Sequence, residues 1–293
     1  IDDANKELCR SLASKWFVEH GDTSTHSAAG WLLRRWNIPI PEIPNSHEIT
    51  PQRDWYVVKT SGATMLRIRT TPLDLKSPRE FWVCDREVSR GQFEQFMNDA
   101  TYLATEKPAE WEDVESYVSP TADHPAQSVS WYDSVMYCNW LSLREGLKPC
   151  YERTGTQEKA FDNTLYDAWR EIPGSTGYRL LHQTEWEYAC RAGSTTAYSS
   201  GDDETLLVNY CQMYPSKLTA TCGDKLPNAW GFHDVHGNVW EWCWDTLLYQ
   251  NRRVLRGGSL YGSADDVRSA RDHQVQPDLR DSHTGFRVTR TYP

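Results

Sequence analysis

The sequence has no apolar run long enough to cross a membrane, so no transmembrane helix is expected. It also lacks an excess of Lys and Arg. A net charge of −10 removes the positive footprint that nucleic-acid binding needs. One dense basic cluster exists, Arg252-Arg253 with Arg256. The eight cysteines show neither a paired framework nor zinc-type spacing. Cys9, Cys84, Cys138 and Cys190 sit in apolar stretches, where a thiol behaves as a small hydrophobe. Cys211 and Cys222 flank a loop and are the one pair placed for a bridge. This usage favours a reducing, cytoplasmic compartment over export or surface display. No cysteine follows Cys243, and no Gly-x-Ser-x-Gly elbow marks a serine nucleophile. There is no internal repeat and no low-complexity segment. The chain begins at Ile1 rather than Met, which predicts a processed or trimmed N-terminus.

What the sequence does have is aromatic bulk. Apolar residues make up only 39% of the chain, but 14 Trp and 15 Tyr each bury a large area. A length of 293 residues suits one large domain, or one domain plus a small appendage, with a sizeable core. This composition points to an irregular, loop-rich domain pinned by aromatic side chains.

Three segments are expected: a helical segment over 1–38, a Pro-rich linker over 39–54 and a main domain over 55–293. In the first, Leu8, Leu12 and Trp16 repeat at helical spacing. Asp22 to Thr25 offer caps for a second helix carrying Ala28, Ala29, Leu32, Leu33 and Trp36. Helices this short need a surface to bury their faces, either on the main domain or on another domain. Pro39, Pro41, Pro44 and Pro51 stiffen the linker. In the main domain, Trp55 to Val58, Met65 to Arg69 and Phe81 to Cys84 read as strands. Ser89 with Gln92 is a capping box for a helix bearing Phe93, Phe96 and Met97. Ser130 and Asp133 open another, which buries Val135, Cys138 and Leu141 and stops near Gly146.

Several phrases stand in a fixed order: Tyr178-Arg179-Leu180 to Tyr188, Gly237-Asn238-Val239-Trp240-Glu241-Trp242, Arg256-Gly257-Gly258-Ser259 and Gly285-Phe286-Arg287-Val288. Together they resemble the formylglycine-generating-enzyme family, the sulfatase-modifying factors, over roughly residues 55–290. The resemblance implies an α+β, C-type-lectin-like fold with a small twisted antiparallel sheet, two main helices and much irregular structure. Leu181 and His182 replace the Pro and the Thr cap of the family's phrase, weakening the local helix cap by about 1 kcal/mol. Active members of the family oxidise a substrate cysteine with two copper(I)-binding cysteines, placed three residues after the Arg-Gly-Gly-Ser serine and five residues beyond that. Here those places hold Gly262 and Val267. Neither supplies a thiolate, so neither copper nor oxidase activity is expected.

The resemblance also implies a structural calcium site at Asp234, Gly237, Val239 and Glu241, two carboxylates with backbone carbonyls. The competing reading pairs Glu241 with Arg256 or Arg287 and leaves Asp234 capping a turn. The nine histidines make no His-x3-His-x-Glu metal motif of the related iron enzymes.

The stretch between Arg-Gly-Gly-Ser and Gly-Phe-Arg resembles the variable region of retroelement-diversified proteins of this fold. The implied binding positions are Tyr261, Gly262, Ser263, Asp265, Asp266, Asp272, His273, Gln274, Val275, Gln276, Leu279, Asp281, Ser282, His283 and Thr284. Tyr, Ser, Gly, Asp and His form a paratope-like mixture for a protein or other ligand. The alternatives are a solvated loop, an enzyme with new chemistry in the same region, and a structural domain of a larger protein.

Overall fold

The computed structural model describes residues 3–70, 80–111, 117–159, 164–247 and 251–291. Helices α1 (Asp3–Glu19) and α2 (Thr23–Arg35) pack against each other at the start of the chain. Asp22 caps α2 through its carboxylate, which accepts the Thr25 amide at 2.8 Å. The pair docks on the rest of this same chain. His26 stacks between Phe17 and Trp55, with ring centroids at 4.3 and 3.8 Å. The Trp31 indole donates to the Asp224 carbonyl at 2.7 Å, and Trp55 donates to that of His20 at 2.8 Å. Leu8 and Trp16 of α1 remain exposed.

A five-stranded sheet follows, built from β1 (Trp55–Val57), β2 (Thr64–Arg69), β3 (Glu80–Cys84), β6 (Tyr178–Arg179) and β11 (Thr289–Thr291), in the order β1-β2-β3-β11-β6. Helix α3 (Arg90–Asn98) begins with the expected Ser89/Gln92 capping box, and α4 (Trp131–Arg144) with that of Ser130/Asp133. Gly146, just past α4, takes φ +70°, the left-handed stop that the sequence indicates. A polar hairpin, β4 (Tyr151–Lys159) and β5 (Leu165–Glu171), was not legible beforehand.

Helix α5 (Gln183–Arg191) starts at His182. The expected weak cap is replaced from a distance: Asp245 Oδ2 accepts the Gln183 amide at 2.6 Å. A short α6 (Leu207–Tyr210) leads to a second sheet in the order β10-β7-β8-β9. Its strands are β7 (Trp240–Leu247), β8 (Arg252–Arg256), β9 (Asp272–Val275) and β10 (Thr284–Gly285). The β10–β7 pairing is parallel, so this sheet is not wholly antiparallel. The main core gathers Trp82, Phe93, Phe96, Trp131, Tyr137, Trp140, Tyr178, Trp242 and Phe286, so aromatic side chains do fill the interior. All eight cysteines are free thiols, including Cys211 and Cys222.

Candidate binding surface

Three motif loops lock together beneath residues 260–284. Gly237 donates its amide to the Gly257 carbonyl at 2.8 Å, Asn238 donates to Gln212 at 2.7 Å, and Leu260 donates to Asn238 at 2.8 Å. Gly237 has φ +98°, and a β-carbon there would lie 2.4 Å from the Gln212 oxygen, so both backbone shape and space require glycine. Glu241 at the start of β7 is fully buried. It accepts Nε and Nη2 of Arg287 at 2.6 and 2.5 Å and the Trp186 indole at 2.7 Å. Arg287 donates further to the carbonyls of His233 and Cys84 at 3.0 and 3.3 Å. A buried pair is tolerable only when its lone pairs and protons are satisfied, and here they nearly all are.

That pairing bears on the calcium expectation. Asp234 accepts the Gly223 amide at 2.6 Å through Oδ2, while its Oδ1 is buried without a partner. Burial raises its pKa above the usual carboxylate range. The second carboxylate of the set, Glu241, is already neutralised by Arg287. With Glu241 committed to Arg287 and Trp186, Asp234 Oδ1 is the one side-chain oxygen of the set without a partner, whereas a calcium ion takes about six to eight oxygens. No group of three or more His, Cys, Asp or Glu forms a metal-holding cluster among the described residues. His236 also serves the loops: it bonds the Val267 carbonyl through Nδ1 at 2.8 Å and accepts the Ser199 amide at Nε2.

The two positions where the family resemblance leads one to expect cysteine are tightly packed. At Gly262 a β-carbon would sit 3.1 Å from Asp266 Cβ and 3.2 Å from the Ser259 oxygen. Val267 is fully buried in a small cluster with Tyr198, Leu207 and Cys211. At the first position a side chain is admitted only if its neighbours give by a few tenths of an ångström, and the second is part of the core.

Around them lies a mixed face. Tyr261, Ser263, Asp265 and His273 are exposed, and Tyr261 is 46% so. Gly262, Asp266, Asp272, Gln274, Val275, Gln276, Leu279, Asp281 and His283 are half-buried. Ser282 and Thr284 are buried, which corrects the expectation that they present side chains at the surface. Thr284 is in β10, paired with Trp240 of β7, and that pairing turns it inward. Leu279 and Val275 rest partly on the core.

Two aromatic–imidazole contacts mark the face: Tyr261 meets His283 edge-on at 5.4 Å, and Trp240 meets His273 at 5.7 Å. The acids are locally engaged. Asp266 accepts the amide and hydroxyl of Ser263 at 2.9 and 2.8 Å, which lowers its pKa. Asp265 pairs with Arg268 at 3.0 Å, Asp272 accepts the Gln274 amide group at 2.8 Å, and Asp281 accepts the His283 amide at 3.2 Å.

Sequence spacing does not single out Arg280. It is exposed, donates to Asp133 at 2.8 Å and borders a cavity of about 560 Å³ with Tyr132, Met136 and Tyr166. Its only sequence signal is its place between Leu279 and Asp281.

Comparison with known proteins agrees with this architecture. The model of the sulfatase-modifying factor enzyme 1-like domain matches residues 51–292. Chaperone protein LppX of Paenibacillus barcinonensis is 26% identical over 58% of this chain and 70% of its own length. Inactive C-alpha-formylglycine-generating enzyme 2 of Mus musculus is 27% identical over 68% of this chain and 71% of its own length. Among solved structures, Treponema denticola variable protein 1 superposes with a TM-score of 0.63 at 24% identity, covering 82% of this chain and 99% of that one. That last likeness is one of fold.

Proposed function

The chain belongs to the sulfatase-modifying factor enzyme 1-like family, and from that premise we propose that it is a binding module rather than an oxidase. The observation that carries this reading is the absence of a thiol at both positions, with Gly262 tightly packed and Val267 in the core, beneath an open polar and aromatic face. Cu(I) chemistry needs thiolates that reach a substrate, and neither position supplies one. The exposed groups instead suit recognition. Tyr261 is a large anchor with few rotatable bonds, and Ser263, Asp265 and His273 adapt their hydrogen bonds to a partner. The similarity to a protein named inactive supports the loss of catalysis, and the shared fold with a variable protein supports a binding face on this framework.

We test the face by placing a photo-crosslinking amino acid at position 261, with exposed Val208 as the control position. The expected result is a discrete adduct from source extract at 261 only, lost when His273 and His283 are replaced by alanine. Equal labelling at 208, or no adduct at 261, contradicts the reading. A second reading, diversification of residues 260–284 by a retroelement, rests on the anchor motifs that bracket them. A near-copy of the coding segment for 253–288 beside a reverse-transcriptase gene is its test, and a neighbourhood without one overturns it.

A further inference from the structure

The seam between α2 and the main domain has a polar interior that its own atoms leave unsatisfied. On α2, Ser27 Oγ and Arg34 Nε and Nη2 are buried without hydrogen-bond partners. Across the seam, so are His233 Nε2 and Asp234 Oδ1. Buried polar atoms are normally paired, so such a concentration calls for a physical cause. The groups are neighbours. A β-carbon at Gly223 would lie 3.2 Å from Arg34 Nη2, and the Gly223 amide itself donates to Asp234. A β-carbon at Gly231 would lie 2.6 Å from Ser27 Oγ.

Two guanidinium groups meet here in different states. That of Arg86 is closed by Asp85, with Nη2 to Oδ2 at 3.0 Å and Nε at 3.2 Å. Arg34 has no ion-pair partner among the described residues, and it borders three cavities of about 530, 330 and 460 Å³. Burial and the nearby Arg86 charge push it down to about 9, still cationic at neutral pH. The 530 Å³ cavity also has Ser61, Gln92, Gln95, Thr221 and Glu87 in its wall.

We propose that this cleft is a second binding site, for a small hydrophilic molecule whose carboxylate is received by Arg34. Its volume lies within the range of about 300–1,000 Å³ of small-molecule sites. The planar guanidinium fork matches the two oxygens of a carboxylate. Asp85, Asp123 and Asp224 border the same cavities, so one negative charge is tolerated there while a phosphate dianion is repelled. The site shares no residue with the 260–284 face, so either proposal can fail without the other.

The test is an NMR titration of the full chain, following the Arg34 Nε–H and Trp31 indole signals with sodium acetate, sodium phosphate and sodium chloride at matched ionic strength. Saturable acetate shifts are expected, weakened about tenfold or more in Arg34→Gln. Should that variant fail to fold, Gln95→Trp at the exposed rim obstructs the cleft, and the same loss of saturable binding is expected. Acetate shifts that match those of chloride, or that persist in Arg34→Gln or Gln95→Trp, overturn the site. Tighter binding of phosphate than of acetate overturns the carboxylate assignment.

Discussion

The three motif loops and the acidic side chains of the segment they bracket are held in opposite ways. In the loops, Glu241 bonds Arg287 and Trp186, Gly237 bonds Gly257 and Asn238 bonds Gln212, all across the fold, and Glu241, Arg287, Trp186, Gly237 and Asn238 have no appreciable contact with solvent. In the segment, Asp265, Asp266, Asp272 and Asp281 bond to residues two or three positions away. Long-range buried bonds fix a tertiary structure. Short-range exposed ones shape a loop and can be exchanged at little cost. The contrast teaches that retaining the family's motifs preserves the scaffold and says nothing about the chemistry on its surface.

The sharpest break of this contrast is Arg287→Ala. It leaves Glu241 as a buried carboxylate without its ion-pair partner, and a loss of about 3–5 kcal/mol is expected in urea denaturation. A loss under about 1 kcal/mol would mean that the loops are not held through this pair.

The next largest effect comes from putting the sulfur back. Gly262→Cys puts a side chain into the 3.1 Å approach at Asp266, and Val267→Cys removes apolar volume from the small cluster, together costing about 1–3 kcal/mol. The unaltered chain, given copper(I), oxygen and a cysteine peptide, should yield no aldehyde by mass spectrometry. A double variant as stable as the parent would show that the cysteine positions are open.

A smaller, graded effect is the pH profile, in which two sets of histidines pull in opposite directions. Burial lowers His26 and His236 to about 4 and His233 to about 3. Below their unfolded value of about 6.5 the unfolded chain takes up protons that the folded chain refuses. Stability should therefore fall with acidification, by up to about 1.4 kcal/mol per pH unit per histidine. For His182 burial opposes the charge, but the carboxylates of Asp245 and Glu171 outweigh it and raise its pKa to about 10. Its contribution is full below about 6.5 and is lost as pH rises towards 10. Denaturant midpoints between pH 4 and 10 should form a dome. His182→Gln should flatten only the alkaline limb, and an unchanged limb would contradict the Asp245 pairing.

Much of the scaffold was legible in the sequence. The capping boxes at Ser89 and Ser130, the strands near Trp55, Met65 and Phe81 and the stop at Gly146 all carry local signals, and the structure realises them. The β4–β5 hairpin was not, because its exposed Thr154-Gly155-Thr156 stretch has no apolar alternation. Nor was the Asp245 cap, which reaches α5 from a strand 62 residues away in sequence. On the candidate face, the resemblance to a variable region placed Ser282 and Thr284 at the surface, whereas the parallel β10–β7 pairing buries Thr284. No local signal marks Arg34, because only tertiary packing encloses it.

The central claim is that the side chains of Tyr261, His273 and His283 on the 260–284 face are free of folding duty. The most direct measurement is urea denaturation of the variant with Tyr261, His273 and His283 all changed to alanine. The account predicts a stability within about 1 kcal/mol of the parent, as for surface positions. A loss of about 3 kcal/mol or more would place these side chains in the fold's own packing and contradict a free binding face.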